Sequence, residues 1–424
     1  MRILLVSFVF PPHPGIGSLR LSKTAKYLTR HGHDVRVLSA AAPLGPNSLP
    51  LEVPEGHVTY ARWLGSAQRD HVTDVHGERR APSAISRAIR LASPLVAIPD
   101  TLIGWFPFAV RAGSALLRRW RPDVILASGP PFTSLVVGAT LARRFAIPWV
   151  AELRDLWAEN HYLVRSRWRE RLDHTLERSV LKTAAGFVTV SEPWAAWLRR
   201  KYSRDTAVVT NGFDPCDLPA VEMPRRRDGP LSIGHFGEIY EGRRDPTVLF
   251  RAVASLGWSR ADVVMRFHGP NLGPIAQIAR REGVEDLIDL QPLVPHAEAL
   301  RLQQETDLLL LLLWNHPAEH GVIPGKLFEY IGGRRPIVAI GPDDSAALSH
   351  VRDLRLGFAG TCSHALADYL ADVHRRRVAG TFGHLPADVT SAFTRERQTA
   401  RLEDFLDRWR RAPESAYPDS ARPG

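Results

Sequence analysis

Six consecutive leucines, Leu308 to Leu313, restrict this chain more than any other feature. A run that short and that uniformly apolar leaves no face for water. It fits a strand covered on both sides, and such strands belong to parallel sheets flanked by helices. The next stretch, Pro317 to Gly341, reads PAEHGVIPGKLFEYIGGRRPIVAIG. Pro324 and Gly325 close a loop, and Lys326 opens a helix whose Leu327, Phe328 and Ile331 can face a sheet. Gly332, Gly333 and Pro336 end that helix, and Pro336 to Gly341 reads as the next strand. Strand, loop, helix, strand is one parallel unit with a helix N-terminus at the carboxyl edge of the sheet.

Backbone N–H groups at such a terminus attract phosphate. Lys326 adds a cationic charge at the same place. Glu329, about one turn further on the same face, can accept hydrogen bonds from the hydroxyls of a sugar. Together they suit a sugar nucleotide.

The stretch resembles the nucleotide-sugar signature of GT-B glycosyltransferases, especially retaining family 4 enzymes that write it P-x-K-x-x-E-Y, then Gly and a Pro-led strand. Here those positions are Pro324, Lys326, Glu329, Tyr330, Gly333 and Pro336. The resemblance implies an α/β GT-B fold: two doubly wound, Rossmann-like domains facing a cleft, with the C-terminal helix crossing back to the first. It implies transfer of a sugar from a nucleoside diphosphate sugar, UDP-linked, to an acceptor hydroxyl with retention. The acceptor would be a sugar, a lipid-linked sugar or a small molecule, in surface polysaccharide, glycolipid or natural-product glycosylation. The wider family places a second Glu, close to the transferred sugar, where this chain has Gly321; Glu319 and His320 are the neighbouring candidates for that role. A nucleotide-sugar epimerase of the same architecture and a non-catalytic nucleotide-sugar-binding subunit are the rival readings.

Three further segments extend the resemblance. Ile3 to Phe10 reads as a strand, followed by a loop with Gly15, Ile16 and Gly17 and a helix from Leu19 to Thr29; this turn resembles the glycine-rich loop that faces phosphates and acceptor. Asp123 to Ser128 and Trp149 to Leu153 read as strands ending in Ser128-Gly129-Pro130-Pro131 and Arg154-Asp155-Leu156-Trp157. That pair resembles the S-x-P-P … R-D-x-W pattern of a family 4 subgroup making surface polysaccharides. It makes Arg154 and Asp155 catalytic-region candidates, although the permanent charge of Arg154 excludes it as a general base. Beyond a strand from Leu231 to Phe236, the loop with Gly237, Arg243 and Arg244 resembles the one that grips the donor diphosphate, with Glu238 where many relatives have Arg.

A chain of 424 residues exceeds one core, so two domains of roughly 200 residues each are expected. The first spans 1–213, with the amphipathic helix from Phe393, 393–412, returning to it. A linker rich in proline and arginine covers 214–228, and the donor-binding domain covers 229–390. Pro43 to Pro82 shows no sustained period and reads as an excursion, and Ala207 to Asn211 reads as a strand.

The formal charge is +10, and all but five of the 55 basic residues are Arg. That balance favours anionic partners, but no basic run interleaved with aromatics points to nucleic acid. Cys216 and Cys362 stand alone, which fits a reducing cytoplasm, and no ligand spacing calls for a metal or other cofactor. His316-Pro-Ala-Glu319-His320 matches H-x-x-E-H, but Gly321 and Pro324 leave no helix to carry both imidazoles. No window is long and apolar enough to span a membrane. Around Trp105, Phe106, Phe108 and Trp120, punctuated by Arg87, Arg90, Arg111, Arg118, Arg119 and Arg121, two readings stay open: contact with an anionic membrane surface, or helices packed on the sheet.

Overall fold

A computed structural model describes residues 1–41, 48–64, 98–162, 165–219, 229–239 and 242–410. Arg87, Arg90 and parts of the excursion, linker and tail lie outside the described residues. Packing divides the chain into two units. The first takes Met1–Thr189, Trp197–Ala207 and the stretch from Thr399; the second takes Val190–Ala196 and Val208–Gln398.

In the first unit, strands β1 (Arg2–Val6), β2 (Asp34–Ala40), β3 (Val58–Ala61), β4 (Val124–Gly129), β5 (Trp149–Leu153), β6 (Gly186–Thr189) and β7 (Thr206–Val208) form one sheet in the order β3-β2-β1-β4-β5-β6-β7. The order reverses between β1 and β4, where Leu4 lies opposite both Arg36 and Ile125. Two elements depart from the sequence reading. β3 lies inside the expected excursion, its four residues too few to show a period. The strand read as Ala207 to Asn211 is Thr206–Val208.

The last helix among the described residues, Arg395–Leu406, buries Leu402, Phe405 and Leu406. Its Glu403 takes His31 Nδ1 at 2.7 Å and His33 Nε2 at 2.9 Å. Trp105 and Trp120 are buried in the core of this unit, and Phe106 and Phe108 pack against it, so the aromatics of that arginine-punctuated segment face inward.

In the second unit, β8 (Leu231–Phe236), β9 (Val263–His268), β10 (Ile288–Gln291), β11 (Leu308–Leu312), β12 (Ile337–Ile340) and β13 (Gly357–Ala359) run in the order β10-β9-β8-β11-β12-β13. The leucine run is its central strand. Leu308, Leu310 and Leu312 join one core, with Phe250, Val253 and Leu370 from helices Thr247–Ser255 and Ser363–Val378. Leu309, Leu311 and Leu313 join the other, with Leu327, Phe328 and Ile331 from helix Gly325–Gly332 and Val351 from Ala346–Asp353. Leucine after leucine is thus required, because the strand's period of two delivers side chains to two cores in turn. Each such side chain contributes roughly 1.5–3 kcal/mol on burial.

Candidate functional site

The strand order of the second sheet reverses between β8 and β11, and a doubly wound sheet binds ligands in the crevice at such a point. The ladder between these strands stops early, pairing only Leu308 with Ile233 and Leu309 with Gly234. Beyond it, side chains satisfy the backbone. Tyr330 O–H accepts from Phe236 N–H and donates to the Leu310 carbonyl, both at 3.3 Å, and His235 Nδ1 lies 3.0 Å from that carbonyl. Tyr330 belongs to helix Gly325–Gly332, so this hydroxyl fastens the helix across the gap.

The helix starts behind Pro324, whose extended conformation (φ −61°, ψ 140°) sets its entry, and no side chain caps it. Its first-turn N–H groups therefore remain suited to a ligand anion. It stops at Gly333, where Arg334 takes a positive φ of 56° and Pro336 cannot continue it. Lys326 sends its ammonium inward to 3.3 Å from His235 Nε2. Gly237, immediately after β8, has φ 118°, and a Cβ there would lie 2.9 Å from Lys326 Nζ, so both conformation and space call for glycine.

Burial pushes the Lys326 ammonium down to about 7; the Arg244 guanidinium acts in the same direction and Glu329 against it. The Lys–Glu pair one would draw on the helix surface is not the arrangement found. Glu329 Oε1 instead lies 3.1 Å from His296 Nε2, at the start of helix His296–Glu305. Arg244 donates to the Glu238 carbonyl at 2.7 Å, and Arg243 stacks over Trp314, 4.8 Å from the ring centroid. The six donor-side candidates Gly237, Arg244, Pro324, Gly325, Lys326 and Glu329, with Arg243 on Trp314, thus line the ends of β8 and β11.

Comparison with known proteins bears on the fold. Residues 18–212 match the family model of the glycosyl transferase 4-like domain. No curated protein sequence matches the chain. Among solved structures, sucrose-phosphate synthase from Thermosynechococcus elongatus superposes with a TM-score of 0.66 at 15% identity, covering 96% of this chain and 98% of its own. HepE of Anabaena, solved with UDP-glucose, gives 0.60 at 17%, covering 96% and 100%. A glycosyltransferase from Rickettsia africae gives 0.57 at 13%, covering 96% and 98%. The fold is GT-B.

In this GT-B chain, Gly321 cannot be exchanged for the Glu of the wider family without rearrangement. Within the second unit the indole of Trp194 fills the space a side chain at 321 would take. Glu319 is buried in the short turn Pro317–Glu319, whereas His320 is exposed, with Nδ1 3.4 Å from Asp344. His316 accepts from Ala318 N–H at 3.1 Å and stacks on Trp314, so the H-x-x-E-H spacing here caps a turn.

The remaining candidates lie in the first unit, beyond the ends of β1 and β5. Gly15 precedes helix Ile16–Arg30, Ile16 is exposed, and Gly17 lies against the Arg154 guanidinium so closely that a Cβ would collide. Arg154 is half-buried and donates to the Pro130 carbonyl. Burial holds its proton affinity below that of an ordinary arginine, and the neighbouring Glu152 and Asp155 oppose this. Glu152, buried, pairs with Arg20 at 2.8 Å. Three residues escaped the sequence reading, His235, Trp194 and Glu152, and His296, isolated in sequence, gave it no reason to single it out. Only packing brings the two histidines to Lys326 and Glu329.

Proposed function

We propose that the protein is a glycosyltransferase that moves a sugar from a UDP-sugar to an acceptor hydroxyl with retention. The observation that carries this reading is the convergence, at the second switch point, of the Lys326 ammonium, Arg244 and an uncapped helix N-terminus, with Glu329 one turn along. In this reading the departing diphosphate carries the charge that develops as its bond to the anomeric carbon of the sugar breaks, while the acceptor oxygen bonds to that carbon and gives up its proton. Lys326, Arg243, Arg244 and the helix N–H groups offset it, as fixed dipoles and charges already in place. Glu329 receives ribose hydroxyls, with His296 holding the carboxylate. The UDP-glucose found with HepE supports a uridine nucleotide. With cationic groups supplying the neutralisation, transfer is independent of added metal, and chelation with EDTA leaves turnover unchanged. Glu319 and His320, beside the donor helix, and Arg154 and Asp155 are the residues assigned to the transferred sugar and acceptor.

The acceptor is a sugar, a lipid-linked sugar or a small molecule. A cytoplasmic protein working at an anionic membrane surface fits the lipid-linked case. Helix Arg167–Leu181 supports that contact, with Trp168 and Leu172 exposed on one face beside exposed Arg167 and Arg171.

Two measurements test the proposal. Thermal unfolding with nucleotides should show stabilisation by UDP beyond GDP and ADP, since a ligand binding only the folded state raises its stability. Incubation with a donor panel should release UDP only when acceptor is present, and NMR of the product should show the donor's anomeric configuration retained. Sugar conversion without acceptor would identify an epimerase, and binding without turnover a non-catalytic subunit.

A further inference from the structure

His235 has no place in the reading above, yet it is buried at the carboxyl end of β8, 1% exposed, with both ring nitrogens engaged. The Leu310 carbonyl, 3.0 Å from Nδ1, is an acceptor only. It therefore requires the proton on Nδ1 and leaves the Nε2 lone pair aimed at Lys326 Nζ, 3.3 Å away. A neutral ring is the form the surroundings favour: burial, then the Lys326 charge, hold its protonation well below the usual histidine range, the Leu310 bond opposes them, and Arg244 adds to them.

Resting on the donor-site reading, we propose that His235 is a positioning residue, whose neutral imidazole accepts a hydrogen bond from the Lys326 ammonium and holds it charged against Gly237. The supporting geometry is a relay of fixed parts. The Leu310 carbonyl is set by the end of the β8–β11 ladder, the imidazole tautomer by that carbonyl, and the ammonium by the imidazole. Without the acceptor, an ammonium beside Arg244 and away from water would give up its proton more readily. A neutral amine attracts a diphosphate less.

The groups that act on the pair come from several elements. Arg244 stands on the loop after β8, and Glu329 on the ammonium's own helix. β9 contributes the apolar Phe267 ring, 6.3 Å from the imidazole, and β11 the Leu310 carbonyl.

Three variants separate positioning from mere filling of space. H235L removes both bonds, and H235N keeps a donor for Leu310 but is too short to reach Lys326. H235Q carries an amide oxygen long enough to take the place of Nε2. UDP affinity is measured between pH 5.5 and 9, relative to wild type at each pH, so that ionisation of UDP itself cancels. H235L and H235N should bind roughly tenfold or more weakly at pH 7, the effect of losing a hydrogen bond to a charged group, and recover towards wild type as pH falls. H235Q should follow wild type.

Lysine NMR of the unliganded protein gives a second readout, because a chain with five lysines permits assignment of Lys326. Its titration midpoint should fall by about one unit in H235L and H235N and stay in H235Q. An unchanged midpoint in folded H235N, or in H235L where H235N does not fold, overturns the proposal. If wild type fails to bind UDP, the donor reading falls, and the NMR titration still decides the role of His235.

Discussion

Lys326 is the residue on which the proposed donor site turns. The chain uses arginine for 50 of its 55 basic residues, and the one lysine after Lys201 points its ammonium into an enclosed space bordered by Gly237 and His235. A guanidinium is planar and wider than an ammonium, so in the proposed phosphate role an arginine here would crowd Gly237 and His235. K326R should therefore lose turnover by well over tenfold while its thermal stability changes little. Turnover within about twofold of wild type, read as kcat/KM, would remove the phosphate role. Glu329 makes a separate case. E329Q preserves shape and exchanges a charged acceptor for a neutral one, so UDP affinity should fall about tenfold, the value of a charge-assisted hydrogen bond. Calorimetric titration with unchanged affinity in a folded variant would take the ribose away from Glu329.

At the scale of elements, the early end of the β8–β11 ladder is what makes a site. Backbone groups that would have paired across the strands are handed to Tyr330 and His235, which fasten helix Gly325–Gly332 and orient its lysine. Removing the bridging hydroxyl leaves Phe236 N–H buried without its partner, so Y330F should be less stable by about 1–3 kcal/mol. A lower denaturation midpoint in urea reads this directly, and UDP affinity should fall with it because the helix is less firmly held. An unchanged midpoint would mean that the hydroxyl contributes nothing to closing the gap.

For the whole molecule, the pattern is two parallel sheets, each with its order reversing at the middle. The donor candidates gather at one reversal, and Gly17 and Arg154 meet beside the other, each set within its own unit. The proposed membrane contact is a property of surface charge and exposure. With Trp168 45% and Leu172 39% exposed beside arginines, the protein should sediment with anionic liposomes at low salt and leave them at high salt. W168E should reduce this binding. Equal binding to neutral liposomes would point to apolar insertion alone, and no sedimentation at any salt would leave a water-soluble acceptor as the substrate.

The amino-acid sequence by itself determined the parallel α/β architecture. The leucine run, the glycine and proline stops and the short apolar strands act locally, through backbone geometry and period. It also determined that Lys326 and Glu329 share a helix that begins behind Pro324, since residues three apart on a helix are neighbours wherever it packs. β3 escaped it, since four residues carry no period. Tertiary structure alone decided what those side chains meet. His235 lies 91 positions from Lys326 and His296 lies 33 from Glu329, and no local rule connects them. Trp194 took the space where the wider family has a glutamate, through packing from a distant helix. The proton held by Lys326 also belongs to the fold, because burial, which moves it to about 7, exists only once the surrounding strands are assembled.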